Sequence, residues 1–326
     1  MNWRVPAVSL VWIAWTACAE RDAAPQRDTR DAAVEAAPVR LPDPDSTQPF
    51  WLSATGLYRD IAHKELAADL HEFEPRFALW SDAAHKRRWL RLPEGARIDS
   101  SDPEHWQFPV GTMVFKEFML DDRRLETRLI ARTGPGHDDY WMGAFAWNED
   151  ESDARWLPEG AQNVRGTEHD VPKRKQCFTC HDGEPGRVLG FSALQQPDLQ
   201  RNMLTDAVPA PRLHDELDAL GYLHANCAHC HNPTGSARPD TDMNMRLSLD
   251  DARPEDTSTY RTTVGVAMQY FEHADAELRV QPGDAAHSGV LVRMSDRGPK
   301  TQMPPLATEQ VDAQGIAAVR SWIERL

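Results

Sequence analysis

Two short stretches carry residue types at a spacing that can do chemistry: CFTCH, from Cys177 to His181, and CAHCH, from Cys227 to His231. Each reads Cys-x-x-Cys-His. In that order two thiols can add across the vinyl groups of a haem while the adjacent imidazole ligates its iron. Cys177, Cys180, Cys227 and Cys230 are therefore the candidate attachment residues for two haem c groups, with His181 and His231 as iron ligands. The competing chemistry is zinc, because two Cys-x-x-Cys pairs supply four thiolates without any histidine. That reading leaves the histidine after each pair as an accident, in a chain with 13 histidines among 326 residues. A thioredoxin-like redox pair needs one Cys-x-x-Cys near the start of a βαβ unit, and neither pair is so placed.

An electron-transfer haem takes a second axial ligand, usually a thioether. Met303, in QMPPL, is followed by two prolines that stiffen the loop presenting it. Its rival, Met294, has Val290, Leu291 and Val292 beside it, which points to a helix and a core position. For the first motif the candidates are Met203, His169 and His214, and none stands in a recognisable ligand loop. A closed sixth position favours electron transfer, whereas an open one permits gas binding or catalysis.

The elements that must position these residues differ between the two halves. Residues 108–120, 125–132 and 141–148 mix β-branched and aromatic side chains between turn clusters, which predicts an antiparallel sheet. Leu213, Leu217 and Leu220 lie at helical spacing before the second motif, and Ile316, Val319, Ile323 and Leu326 mark an apolar face at the C-terminus. The expected fold class is α+β, with an antiparallel β-rich haem domain over 48–204 that ends in the first motif. An all-α cytochrome c-type domain over 205–326 is expected to hold the second.

The run FPVGTMVFKEF, then YWMGAFAW, then a Cys-x-x-Cys-His resembles the β-sheet cytochromes of the cytochrome c-prime-beta group. The resemblance implies a haem packed on a sheet, with Lys116 and Glu117 on a functional strand. From its sequence alone, Lys116 reads as an outward strand charge. Across the chain, LSATGLY, LWSDAAHKRRW, FPVGTMVFKEF, LETRLIAR, CFTCH, YLHANCAHCHNPTG, VQPGD and RMSDRGPKTQMPPL resemble in order an uncharacterised family of proteobacterial diheme c-type cytochromes. That likeness implies two covalent haems in an exported electron carrier and names no substrate.

Residues 1–19 have the layout of a secretory signal: Arg4, a mostly apolar run from Val5 to Trp15, then small residues. Two processing routes are open. Cleavage can follow Ala17-Cys18-Ala19, or Trp15-Thr16-Ala17-Cys18 can act as a degenerate lipobox that leaves Cys18 lipidated and the protein tethered to the outer membrane. Residues 20–47, rich in Ala, Asp, Arg and Pro, lack a hydrophobic period and read as a disordered linker. Net charge of −15 argues against nucleic acid as a partner and suits a cationic one. The expectation is a periplasmic or lipid-anchored electron carrier serving redox partner proteins. The alternative is a haem enzyme acting on a small nitrogen or peroxide species at a five-coordinate first haem, with the second haem as relay.

Overall fold

Strong strand formers alternate with turn residues through the first half of the chain, and the computed structural model pairs them into two antiparallel sheets. It describes residues 39–326 except Asp45, Thr47, 272–275, Pro299 and Ala307, together with Met1. The leader with Cys18 and the linker up to Pro38 lie outside the described residues. A short ribbon joins β1 (Tyr58–Asp60) to β2 (Glu65–Leu66). The main sheet has six strands in sequential order: β3 (His71–Glu72), β4 (His85–Arg91), β5 (Met113–Leu120), β6 (Arg123–Arg132), β7 (Tyr140–Trp147) and β8 (Ala154–Trp156).

The two faces of this sheet follow from the period of two along each strand. Trp89, Phe115, Leu129, Phe145 and Trp156 share one face and pack with Leu52, Leu57 and Tyr58. Leu90, Val114 and Met142 point the other way and pack with Trp106, Phe108, Val188 and Phe191. Farther along that second face the apolar row gives way to charge. Arg88 pairs with Lys116 and Lys116 with Arg128 in adjacent registers of β4, β5 and β6.

Beyond the sheet come five helices among the described residues: α1 (Arg174–His181), α2 (Leu217–Asn226), α3 (Ser258–Thr263), α4 (Gly289–Ser295) and α5 (Ala313–Glu324). The expected all-α cytochrome c-type domain over 205–326, and with it the α+β division, is overturned. One six-stranded sheet organises the chain, and the C-terminal helices are short, with irregular backbone and isolated bridges such as Val264 to Val280 between them. The physical reason is that this region does not close a helical core of its own. Phe77, from before β4, packs into its apolar cluster, and the Trp80 backbone N–H donates to Asn226 Oδ1 at 2.7 Å.

Helical periodicity is expressed where two helices meet. Val319, Trp322 and Ile323 of α5 and Leu220 and Leu223 of α2 are buried in one cluster. A Cβ on Gly315 would come within 2.2 Å of the Tyr222 ring, so glycine there permits this approach. Asp312 caps α5, accepting from the Gln314 and Gly315 N–H groups at 3.0 Å each. No helix of the described residues is long and apolar enough to cross a membrane.

Candidate cofactor site

The first motif occupies the last turns of α1, whose start is fixed by the Gln176 side chain accepting the Lys173 N–H at 2.8 Å. The helix carries Cys177 and Phe178 onto the apolar cluster beside β7. The second motif follows α2 as one further turn. Its Cys230 and His231 N–H groups both donate to the Cys227 carbonyl, at 3.1 and 2.9 Å. In each motif the turn brings two thiols and an imidazole to one side of the backbone.

Glycine lets the two motifs meet. A Cβ on Gly183 would lie 2.7 Å from the His229 carbonyl oxygen and 2.8 Å from Gly235 Cα, and one on Gly235 would lie 2.1 Å from the Cys230 carbonyl oxygen. No other residue type allows this docking. Thr234 Oγ1 donates to the Gly183 carbonyl at 3.0 Å and Arg246 Nη2 to the same oxygen at 2.7 Å. As a result the ligand atoms of Cys180, Cys230 and His229 all lie within 4.8 Å of one another.

Cys177, Cys180, His181, Cys227, Cys230 and His231 line one cavity between the sheet and the C-terminal helices. Their environment fits haem. His181 Nδ1 lies 2.7 Å from the Arg187 carbonyl oxygen, which can only accept. Nδ1 therefore carries the proton and Nε2 keeps its lone pair, the tautomer of an iron-ligating histidine with its outer partner in place. His231 Nδ1 is buried with no hydrogen-bond partner among the described residues. Burial pushes His181 and His231 each down to about 4, so both imidazoles stay neutral and able to ligate near neutral pH. All four thiols are free. Burial raises Cys177 and pushes Cys227 up to about 12. In the contact pair, a hydrogen bond from Cys180 pushes Cys230 down while Cys180 rises.

Of the sixth-ligand candidates, Met303 and Met294 both line the cavity, Met294 as a buried residue of the helical cluster. Met203 is buried in the sheet-face cluster and His214 is exposed, both outside the cavity wall. His169 reaches the wall, with Nε2 held at 2.8 Å by Glu126 Oε2. Lys116, read as an outward strand charge, instead faces the cavity, because its register on β5 matches Val114 and Phe118 rather than Phe115.

Sequence reasoning missed Arg88, Arg128, His224 and Met243, which all line the same cavity. His224 is half-buried, desolvation pushes it down to about 3, and its Nδ1 accepts the Leu247 N–H at 3.1 Å. Its proton therefore sits on Nε2, which makes it a hydrogen-bond donor rather than a metal ligand. The alternation in HKRRWLR, MVFKEFML and RRLETRLIAR held a signal for Arg88 and Arg128, but only once the strand registers are known.

No family model, curated protein or solved structure matches the chain.

Proposed function

We propose that the chain is a diheme c-type cytochrome that passes single electrons between redox partner proteins. The observation that carries this reading is the convergence of both Cys-x-x-Cys-His motifs on one cavity, with His181 held in the ligating tautomer. Bound there, haem iron would supply reversible one-electron chemistry. Cys177 and Cys180 would anchor one group and Cys227 and Cys230 the other, with His181 and His231 as ligands. The Cys180 and Cys230 sulfurs lie within 4.8 Å, so the two attachment points adjoin, a placement suited to electron exchange within the chain. In this reading the leader carries the protein to the periplasm, free or anchored to the outer membrane through Cys18.

Met303, which lines the cavity, would supply the further iron ligand at CAHCH. In a Met303→Ala variant that centre is expected to turn high-spin or take a new ligand, read by optical and paramagnetic resonance spectra. An unchanged low-spin Met/His signature would remove the assignment.

The two histidines set a direction for the potentials. A carbonyl on Nδ1 makes an imidazole more basic and favours ferric iron, and only His181 has one. Potentiometric titration of the full chain, matured in a host that attaches haem c, should give two one-electron waves, the lower assigned to CFTCH. A chain whose Soret band does not change reversibly with potential is not an electron carrier.

A second reading, catalysis on a small nitrogen or peroxide species at the first haem, is favoured by the placement of Met203 and His214 away from the cavity. Carbon monoxide should then bind one reduced haem of the two. Binding at neither would leave that reading without an open site.

A further inference from the structure

Arg88, Lys116 and Arg128 stand side by side on β4, β5 and β6, paired in direct register, and all three line the cavity. Like charges directly opposite each other across strands repel. Arg128 is compensated: its Nε and Nη2 reach the two oxygens of Glu126 at 2.7 and 2.9 Å. The other two are not. Arg88 is only 6% exposed, yet its guanidinium makes no hydrogen bond or ion pair among the described residues. Lys116 Nζ likewise has no such partner, and meets only the Phe118 ring, 4.9 Å from its centroid.

The other acidic groups around the cavity are engaged elsewhere. Glu104 Oε1 accepts from Ser248 and the Leu249 N–H at 2.6 and 2.7 Å. Glu184 is held by Arg246 at 2.9 Å and by His105 at 3.1 Å. Glu74 acts on Arg88 only through space, against a burial that lowers the guanidinium. Lys86, next along β4, donates to the Leu79 carbonyl at 2.8 Å and adds positive charge. A chain of net charge −15 thus gathers Arg88, Lys116 and Arg128 in one wall, where burial and then its cationic neighbours hold the Lys116 amine well below its ordinary value. Leaving them there without an anion is costly.

We propose that Arg88, Lys116 and Arg128 form an oxyanion site in the cavity wall, built to take a carboxylate or a similar small oxyanion across adjacent strands. Arg88 and Lys116 supply N–H donors and positive charge to the oxyanion. Two sources have this chemistry: the propionate of a haem seated in the cavity, or a small oxyanion that diffuses in. Only the first rests on the haem reading of the motifs.

The test uses the full chain with acetate as the probe, titrated calorimetrically under reducing conditions, alongside the midpoint potential of each haem. If the occupant is diffusible, acetate binds the wild type, binds at least tenfold more weakly to Arg88→Gln and Lys116→Met, and is retained by Arg88→Lys. If a propionate already fills the site, acetate does not bind, and both neutral variants lower the potential of one haem while Arg88→Lys leaves it in place. The proposal is overturned if acetate fails to bind and neither potential moves. It is also overturned if Arg88→Lys behaves like Arg88→Gln, which would make the effect one of shape. A chain that carries no covalent haem would defeat the haem reading alone, because the acetate titration then decides the oxyanion site without it.

Discussion

A Glu126→Leu variant is expected to lose about 3 kcal/mol of stability, the low end of the cost of stripping one partner from a buried ion pair. For a chain of 326 residues that lowers the melting temperature by roughly 4–5 °C. Glu126 is fully buried and holds two groups at once, Arg128 through both oxygens and His169 Nε2 at 2.8 Å. Without it a guanidinium remains beside Lys116 with no counter-charge. Arg128 retains 26% of its side-chain exposure toward the cavity, which is why the lower figure applies. A Glu126→Leu/Arg128→Leu double variant should recover most of the loss, since the orphaned charge leaves with its partner. If both variants melt with the wild type, the pair does not hold the cavity wall.

The same carboxyl gives a pH dependence. Burial alone would raise its pKa, but Arg128 and the His169 hydrogen bond more than reverse this and hold it below the ordinary glutamate value. A folded-state value below the unfolded one stabilises fully above the unfolded pKa and fades as pH falls through the folded one. The gap between wild type and Glu126→Leu should therefore be constant near neutrality and close only below about pH 4.3.

The second large effect concerns the motifs. Changing Cys177 and Cys180 together to serine is expected to remove one covalent haem and leave the other, and the matching change at Cys227 and Cys230 should do the converse. Zinc predicts otherwise, because a tetrahedral site of four thiolates loses its metal when either pair goes. The haem left behind should not be undisturbed. Cys180 and Cys230 are within 4.8 Å, and Gly183 docks directly on Gly235, so emptying one seat changes the surroundings of the other. Its midpoint potential should shift. An unshifted potential in both double variants would contradict a common cavity.

The candidate site was partly legible because Cys-x-x-Cys-His is a pattern of adjacent residues, and adjacency is what a sequence records. CFTCH and CAHCH are complete within five positions each. The strand segments carrying Phe115, Leu129 and Phe145 were legible for a similar reason, since aromatic and β-branched alternation is local. The cationic wall was not. Arg88, Lys116 and Arg128 become neighbours only through the pairing of β4, β5 and β6, and pairing registers are set by the whole sheet. The expectation of a helical C-terminal domain failed on the same ground. The leucines before CAHCH do form α2, but the cluster they enter also takes Phe77, a residue from the other half of the chain. The meeting of the two motifs rests on Gly183 and Gly235, whose role is invisible until the backbones they separate are placed together.

Whether both motifs carry haem is read most directly from the number of haems that stay with the full chain after denaturation and acid–acetone extraction, counted as the pyridine haemochrome against total protein. Two covalent haems per chain is the predicted result, one for each motif in the shared cavity. A colourless chain, or one that holds zinc at Cys180, His229 and Cys230 in place of haem, would contradict it.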